Sequence, residues 1–196
     1  MSQNLEIEFK NMLTKAEYER ILNEFHIGQD DIFTQENLYF DSPDFALKKA
    51  KSALRIRKKG TDYVMTLKTP LEIGLLETNQ ILTTEEADAA INHNCLPEGE
   101  IKQVIEASNI SFANIIYFGS LTTKRTELPY EDGLLVLDHS IYLHQEDYEL
   151  EYEVENYQEG KRNFQNLLKR FMIPERQTEN KVRRFYNQKY KQNKKM

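Results

Sequence analysis

A single cysteine, Cys95, stands among the 196 residues, so no intramolecular disulfide can form and a thiolate-rich zinc site is excluded. Tryptophan is absent, which disfavours ligands that need a large stacking platform. No apolar run is long enough for a membrane span and no signal-like segment opens the chain, so a reducing cytoplasm is the expected compartment. There is no Gly-x-x-x-x-Gly-Lys-[Ser/Thr] loop and no Gly-x-Ser-x-Gly elbow; the usual phosphate-loop and acyl-transfer routes are missing. His26, His93, His139 and His144 lack the i, i+4 spacing of a helical zinc pair. Positive charge is also in deficit. Lys and Arg number 26 against 32 Asp and Glu, a formal net charge of −6, which argues against a general nucleic-acid binder. A small polyanion is still admitted, because local charge can oppose the global sign.

What is present is an unusual amount of patterned charge, 30% of residues against 39% hydrophobic. Period-two alternation predicts strands over residues 5–10, 35–41, 53–58, 63–68, 75–82, 112–118, 121–128, 134–139 and 148–155. Thr14 with Glu17, and Thr83 with Glu86, have capping-box spacing and predict helices over 14–25 and from 83 toward His93. Pro43, placed to be a first helical residue, predicts a short helix after Ser42. Further helices are expected near 98–107, 161–171 and 179–191. About eight strands with few long connections give an α+β fold: an antiparallel sheet curled into a closed barrel with helices packed outside. One domain is expected over 1–190, with a Lys-rich tail at 191–196.

Side chains alternate between the two faces of a strand. Glu6, Glu8 and Lys10 therefore share a face opposite Leu5, Ile7 and Phe9. Arg55 and Arg57 oppose Leu54 and Ile56, and Glu149, Glu151 and Glu153 oppose Leu150, Tyr152 and Val154. Glu77 and Asn79 share a face, while Lys68, Arg125 and Asp138 each place a charge near the end of a β-like run. For one such strand, a solvated face is the ordinary explanation. Repetition in strand after strand favours a polar lumen, with the apolar faces turned outward under the amphipathic helices. Buried ions in that number require pairing, hydration or neutralising ligands. Arg and Lys suit phosphate, whereas carboxylates suit a hard divalent cation that also takes phosphate oxygens. A lumen holding both signs fits a metal–polyphosphate complex better than either ion alone.

The ordered motifs Glu-x-Glu-x-Lys at 6–10, Asn-x-Tyr-Phe-Asp at 37–41, Leu-Arg-Ile-Arg at 54–57, Thr-Leu-Lys at 66–68, Lys-Arg at 124–125, Asp138, Glu-x-Glu-x-Glu at 149–153 and Lys181 resemble the CYTH superfamily, the triphosphate tunnel metalloenzymes. The resemblance covers residues 5 to about 185. It implies an eight-stranded antiparallel tunnel acting on inorganic triphosphate, thiamine triphosphate, ATP or RNA ends. It also implies a Mg²⁺ or Mn²⁺ cofactor held by Glu6 and Glu8 with one or more of Glu149, Glu151 and Glu153, and Asp138 as a further metal-side acid. Lys10, Arg55, Arg57, Lys68, Arg125 and Lys181 would bind phosphates, with Arg183 assisting Lys181. In some relatives a tyrosine–lysine pair is the suggested proton handler, and Tyr39 and Lys68 stand at those positions, although a half-buried lining ring explains Tyr39 equally well. The expected catalytic set is thus Lys68, Tyr39 and Arg125.

Inorganic triphosphate asks least of such a site and is the favoured substrate. A class IV-type adenylate cyclase is the enzymatic alternative, without an adenine-pocket signature to support it. A non-catalytic polyphosphate or nucleotide sensor is the other alternative, although binding an anion alone would not need the full acid set. The expected partner is a small-molecule triphosphate, with no membrane and no nucleic acid, and a homodimer is admitted.

Overall fold

Strand β1, Ser2–Leu13, leads into helix α1, Lys15–Glu24, in the computed structural model, which describes residues 2–193. The remaining strands are β2 (Phe33–Asp41), β3 (Ala53–Lys59), β4 (Asp62–Pro70), β5 (Leu75–Leu82), β6 (Ile116–Tyr130), β7 (Gly133–Tyr142) and β8 (Gln145–Val154). Helices α2 (Ala46–Lys49), α3 (Thr84–His93), α4 (Glu100–Ala107), α5 (Tyr157–Arg170) and α6 (Lys181–Asn193) complete the element order. The strands form a closed barrel in the order β1-β5-β4-β3-β2-β6-β7-β8. Closure removes sheet edges, which otherwise expose unpaired backbone groups.

Two compact units are distinguishable along the chain. The first comprises residues up to Glu6 and Gln35–Ser120; the second comprises Ile7–Thr34 and the residues from Leu121 on. β1 serves both, its first residues pairing with β5 (Asn4 opposite Glu77) and its later ones with β8 (Lys10 opposite Glu151).

The apolar strand faces are covered by helices, as the alternation predicts. In the first unit Leu54 and Ile56 of β3 and Met65 and Leu67 of β4 are buried with Ala87 and Ala90 of α3 and Ile101 and Ile105 of α4. In the second, Leu135, Leu137, Leu150 and Tyr152 pack with Ile21 of α1 and Phe164, Leu167 and Leu168 of α5. Gly160 of α5 is held so close that an added Cβ would come within 2.5 Å of Val154 Cγ2 and 2.9 Å of Phe9. Both capping boxes form: the Thr14 hydroxyl accepts the Glu17 N–H while the Thr14 N–H donates to the Glu17 carboxylate, and Thr83 with Glu86 repeats the arrangement.

Two expectations are corrected. The short helix begins at Ala46 rather than at Pro43. The buried Asp41 carboxylate accepts the N–H groups of Leu47 and Lys48, and the Ser42 hydroxyl accepts that of Ala46, so these oxygens satisfy the first turn and set its start. Residues 112–118 are not a separate strand: Phe112–Asn114 is a 3-10 turn, and β6 then runs unbroken from Ile116 to Tyr130. Gly119 holds φ at 148° within it, a conformation open mainly to glycine, which carries the strand past the predicted break. Of the expected tail, residues up to Asn193 belong to α6, and residues 194–196 lie outside those described.

Candidate active site

The inner face of the first unit carries a base-rich group. Pairing sets Lys68 opposite Glu77, Arg55 opposite Thr66 and Asn37 opposite Arg57. Lys68 Nζ lies 2.5 Å from the Glu6 carboxylate and 2.8 Å from Glu77, while Arg55 reaches Glu77 only at 3.8 Å. Arg57 Nε donates to Asn37 Oδ1 at 3.3 Å. The Arg55 Nε–H is buried with no hydrogen-bond partner. A buried ionised donor without a partner is destabilising. Burial would raise the Glu77 pKa, but Lys68 and Arg55 outweigh it and hold it below the usual carboxylate range. Tyr39 is buried, its ring stacked on Phe118 with centroids 6.0 Å apart.

The inner face of the second unit is dominated by acids. Register places Arg125 opposite Asp138 and Asp138 opposite Glu149. Asp138, Glu149 and Glu151 are buried, and each offers an oxygen within 4.8 Å of the others. Lys181, at the start of α6, sends Nζ among them, 2.7 Å from Asp138 and 2.5 Å from both Glu149 and Glu151. Arg125 makes a two-pronged pair with Asp138, Nε to Oδ1 at 2.7 Å and Nη2 to Oδ2 at 2.6 Å, and also donates to Glu151 at 2.9 Å. Arg184, one helical turn beyond Lys181, pairs with Glu149 at 2.9 Å and Asp147 at 3.0 Å. Lys10 pairs with Glu8. Glu153 is partly buried, opposite Glu8 in the β1–β8 register.

For Asp138, Glu151, Lys181 and Lys10 burial works against the charge, and the fields of their neighbours reverse it. Asp138 and Glu151 are held below the ordinary carboxylate range despite desolvation, by Lys181 and Arg125. Lys181 is raised by Asp138, Glu149 and Glu151, and Lys10 by Glu8, Glu151 and Glu149, again against the pull of burial. These four groups therefore stay ionised.

The second unit thus brings together the predicted Glu8, Lys10, Arg125, Asp138, Glu149, Glu151 and Lys181, and the first unit brings together Glu6, Arg55, Lys68 and Glu77. Arg183 is not among them: it is solvent-exposed and pairs with Glu179 along α6. Sequence reasoning missed Arg184 and Asp147. Helical phase could have found the first, since Lys181, Arg184 and Phe185 fall at i, i+3 and i+4 on one face. Asp147 extends the 149–151–153 stripe by one more step of two.

A CYTH domain match spans residues 4–186. The chain belongs to the CYTH domain family. A CYTH relative of Bacillus subtilis strain 168, carrying the name "Putative triphosphatase YjbK", is 48% identical over 191 residues, 97% of this chain and 99% of that protein. The crystal structure of a protein described as "a putative adenylate cyclase" from Bacillus halodurans is 42% identical, with a TM-score of 0.92 over 95% of this chain and 100% of that one. At 22% identity, the Hippeastrum protein HpAC1 shares the fold, with a TM-score of 0.75 over 93% of this chain and 96% of its own. The CYTH barrel is therefore present along with a buried acidic cluster, and no described helix is long and apolar enough to cross a membrane.

Proposed function

We propose that this CYTH protein is a divalent-metal-dependent phosphohydrolase that removes the terminal phosphate of a triphosphate, inorganic triphosphate foremost. The observation that carries the proposal is the division of charge on the inner strand faces. One unit presents Arg55, Arg57 and Lys68, with Lys68 paired to Glu6 and Glu77 and Arg55 near Glu77; the other gathers Asp138, Asp147, Glu149 and Glu151 around Lys181, Arg125 and Arg184. Arginine and lysine suit phosphate, and a buried carboxylate trio suits the hard divalent cation that accompanies a polyphosphate. The name of the 48% identical relative points the same way.

The residues fit a hard cation. Three carboxylates converge within 4.8 Å, and the Lys181 ammonium lies among them, which supports a cation at that position. Asp138, Glu149 and Glu151 would hold Mg²⁺ or Mn²⁺, with Glu6, Glu8 and Glu153 as the further acids of the site. The ion would neutralise charge on the phosphate oxygens. Lys10, Arg55, Arg57, Lys68, Arg125 and Lys181 bind phosphate, and Arg184 takes the supporting part that the sequence gives to Arg183. Water then attacks the terminal phosphorus in line with the leaving oxygen, and Arg55 and Arg125 stabilise the charge that develops. Lys68, paired with Tyr39 as the proton handler, gives a proton to the leaving oxygen, while the attacking water's proton passes to the phosphate released. Residues 1–190 act as one domain in this account, in a reducing cytoplasm that suits the exposed, unbridged Cys95.

The test is phosphate release from inorganic triphosphate, thiamine triphosphate and ATP by purified protein, with and without Mg²⁺ or Mn²⁺, beside Glu8→Ala and Glu149→Gln. Metal-dependent release lost in both variants is the expected result. The 42% identical relative's description favours a second reading, ATP cyclisation; cyclic AMP in the ATP reaction, with no phosphate released from triphosphate, would replace the first.

A further inference from the structure

One row of the barrel beside the acids is unexplained by ion pairing. The β6–β7 register sets Thr123 opposite Ser140, two residues from the Arg125–Asp138 pair on each strand, and β7–β8 sets Ser140 opposite Asp147. Alternation places Thr123 with Arg125, and Ser140 with Asp138, on the inner face; their outward neighbours Lys124 and Ile141 are exposed. Both side chains are completely buried. Neither hydroxyl oxygen has a hydrogen-bond partner, not even the other across the strand pair. Asp147 is engaged elsewhere, accepting from Tyr142 and Arg184.

Two buried hydroxyls with nothing to bond are rare, because each is desolvated without return. Valine and alanine would fill the same space without that penalty. Packing does not explain the pair, but a polar molecule between it and the acids does. Small divalent cations keep part of their water on binding, and groups that hold such waters fix the ion's geometry.

We infer that Thr123 and Ser140 hold a water of the divalent cation bound by Asp138, Glu149 and Glu151, and so position that ion within the strand row. The inference rests on the metal site of the proposed function but not on the reaction. The hydroxyls are positioning residues: they touch the water and act on the phosphate only through the ion.

The experiment is Mn²⁺ titration of the full chain by calorimetry, with thermal unfolding in EDTA alongside. The proteins are wild type, Thr123→Val, Ser140→Ala, Thr123→Ser and Glu149→Gln. Thr123→Val and Ser140→Ala are each expected to weaken Mn²⁺ binding by roughly 10- to 100-fold, the range for outer-shell partners, without lowering the melting temperature in EDTA. Thr123→Ser, which keeps the hydroxyl, retains wild-type affinity, and Glu149→Gln abolishes binding. Mn²⁺ affinity unchanged in both Thr123→Val and Ser140→Ala would overturn the inference, as would melting losses in EDTA that alone account for the weaker binding. Wild-type protein that binds Mn²⁺ through these hydroxyls but leaves triphosphate intact would sink the proposed reaction and keep the inference. Triphosphate cleavage with affinity indifferent to both substitutions would do the reverse.

Discussion

Removing Lys181 puts the electrostatic account under its severest strain. In the wild type one ammonium lies within 2.7 Å of three carboxylates, two of them fully inaccessible. Lys181→Met keeps most of the side chain's bulk and deletes the charge. Breaking a buried ion pair typically costs about 3–5 kcal/mol, because the remaining charge is left uncompensated. Arg125 still serves Asp138 and Glu151, and Arg184 still serves Glu149, so the low end, about 3 kcal/mol, is expected. For a chain of this size each kcal/mol moves the melting temperature by roughly 2–4 °C, so the variant should melt about 6–12 °C below wild type in EDTA. A divalent ion can take the vacated place, and at 100 times its dissociation constant it contributes about 2.7 kcal/mol. Saturating Mn²⁺ should therefore close most of the gap while moving the wild type, which must displace its own lysine, much less. Differential scanning calorimetry with EDTA and with Mn²⁺ measures both shifts. Equal melting of the two proteins in EDTA, or equal gains from Mn²⁺, would refute the idea that Lys181 is the resident counter-ion of the proposed metal position.

Arg125→Lys loses the planar two-pronged grip on Asp138, and we expect about a 100-fold loss in kcat/KM for triphosphate, a drop of about 2.7 kcal/mol in transition-state stabilisation; steady-state phosphate release measures it. Glu17, held down to about 2 mainly by the hydrogen bond from Arg176, stabilises the fold fully above about pH 4.5. That contribution disappears as pH falls toward 2, so Glu17→Gln should flatten the acid limb of a stability–pH curve followed by circular dichroism. Asp41→Ala frees the first-turn N–H groups of α2 and should cost roughly 1–2 kcal/mol in urea unfolding. Ile21→Ala, at a fully buried position on α1, should cost about 2–5 kcal/mol in the same assay.

Much of the barrel was legible because its strands alternate so strictly. Arg55 and Arg57 against Leu54 and Ile56, repeated in strand after strand, favoured a polar lumen over a solvated open face, with helices available to cover the apolar one. The capping pairs Thr14–Glu17 and Thr83–Glu86 likewise located two helix starts to the residue. Failures came where a distant side chain, not local pattern, decided. Asp41 reaches forward to the amides of Leu47 and Lys48 and overrides the proline signal at 43. At the C-terminal helix Arg183 is the base expected to assist Lys181, whereas a helix turns about 100° per residue and so carries Arg184 to the acids. The Thr123–Ser140 pair was invisible in the sequence, since a hydroxyl in a strand reads the same whether it is bonded or orphaned.

The acids that carry their own cations have a consequence for supply. Small metalloproteins that fold around their ion collapse when it is withdrawn. This chain already balances Asp138, Glu149 and Glu151 with Lys181, Arg125 and Arg184, so under the proposed metal dependence a shortage of divalent ions would idle it without dismantling it. Protease resistance in EDTA should match that of the metal-loaded protein. A cell emerging from such a shortage would regain working protein at the speed of ion diffusion rather than of ribosomes.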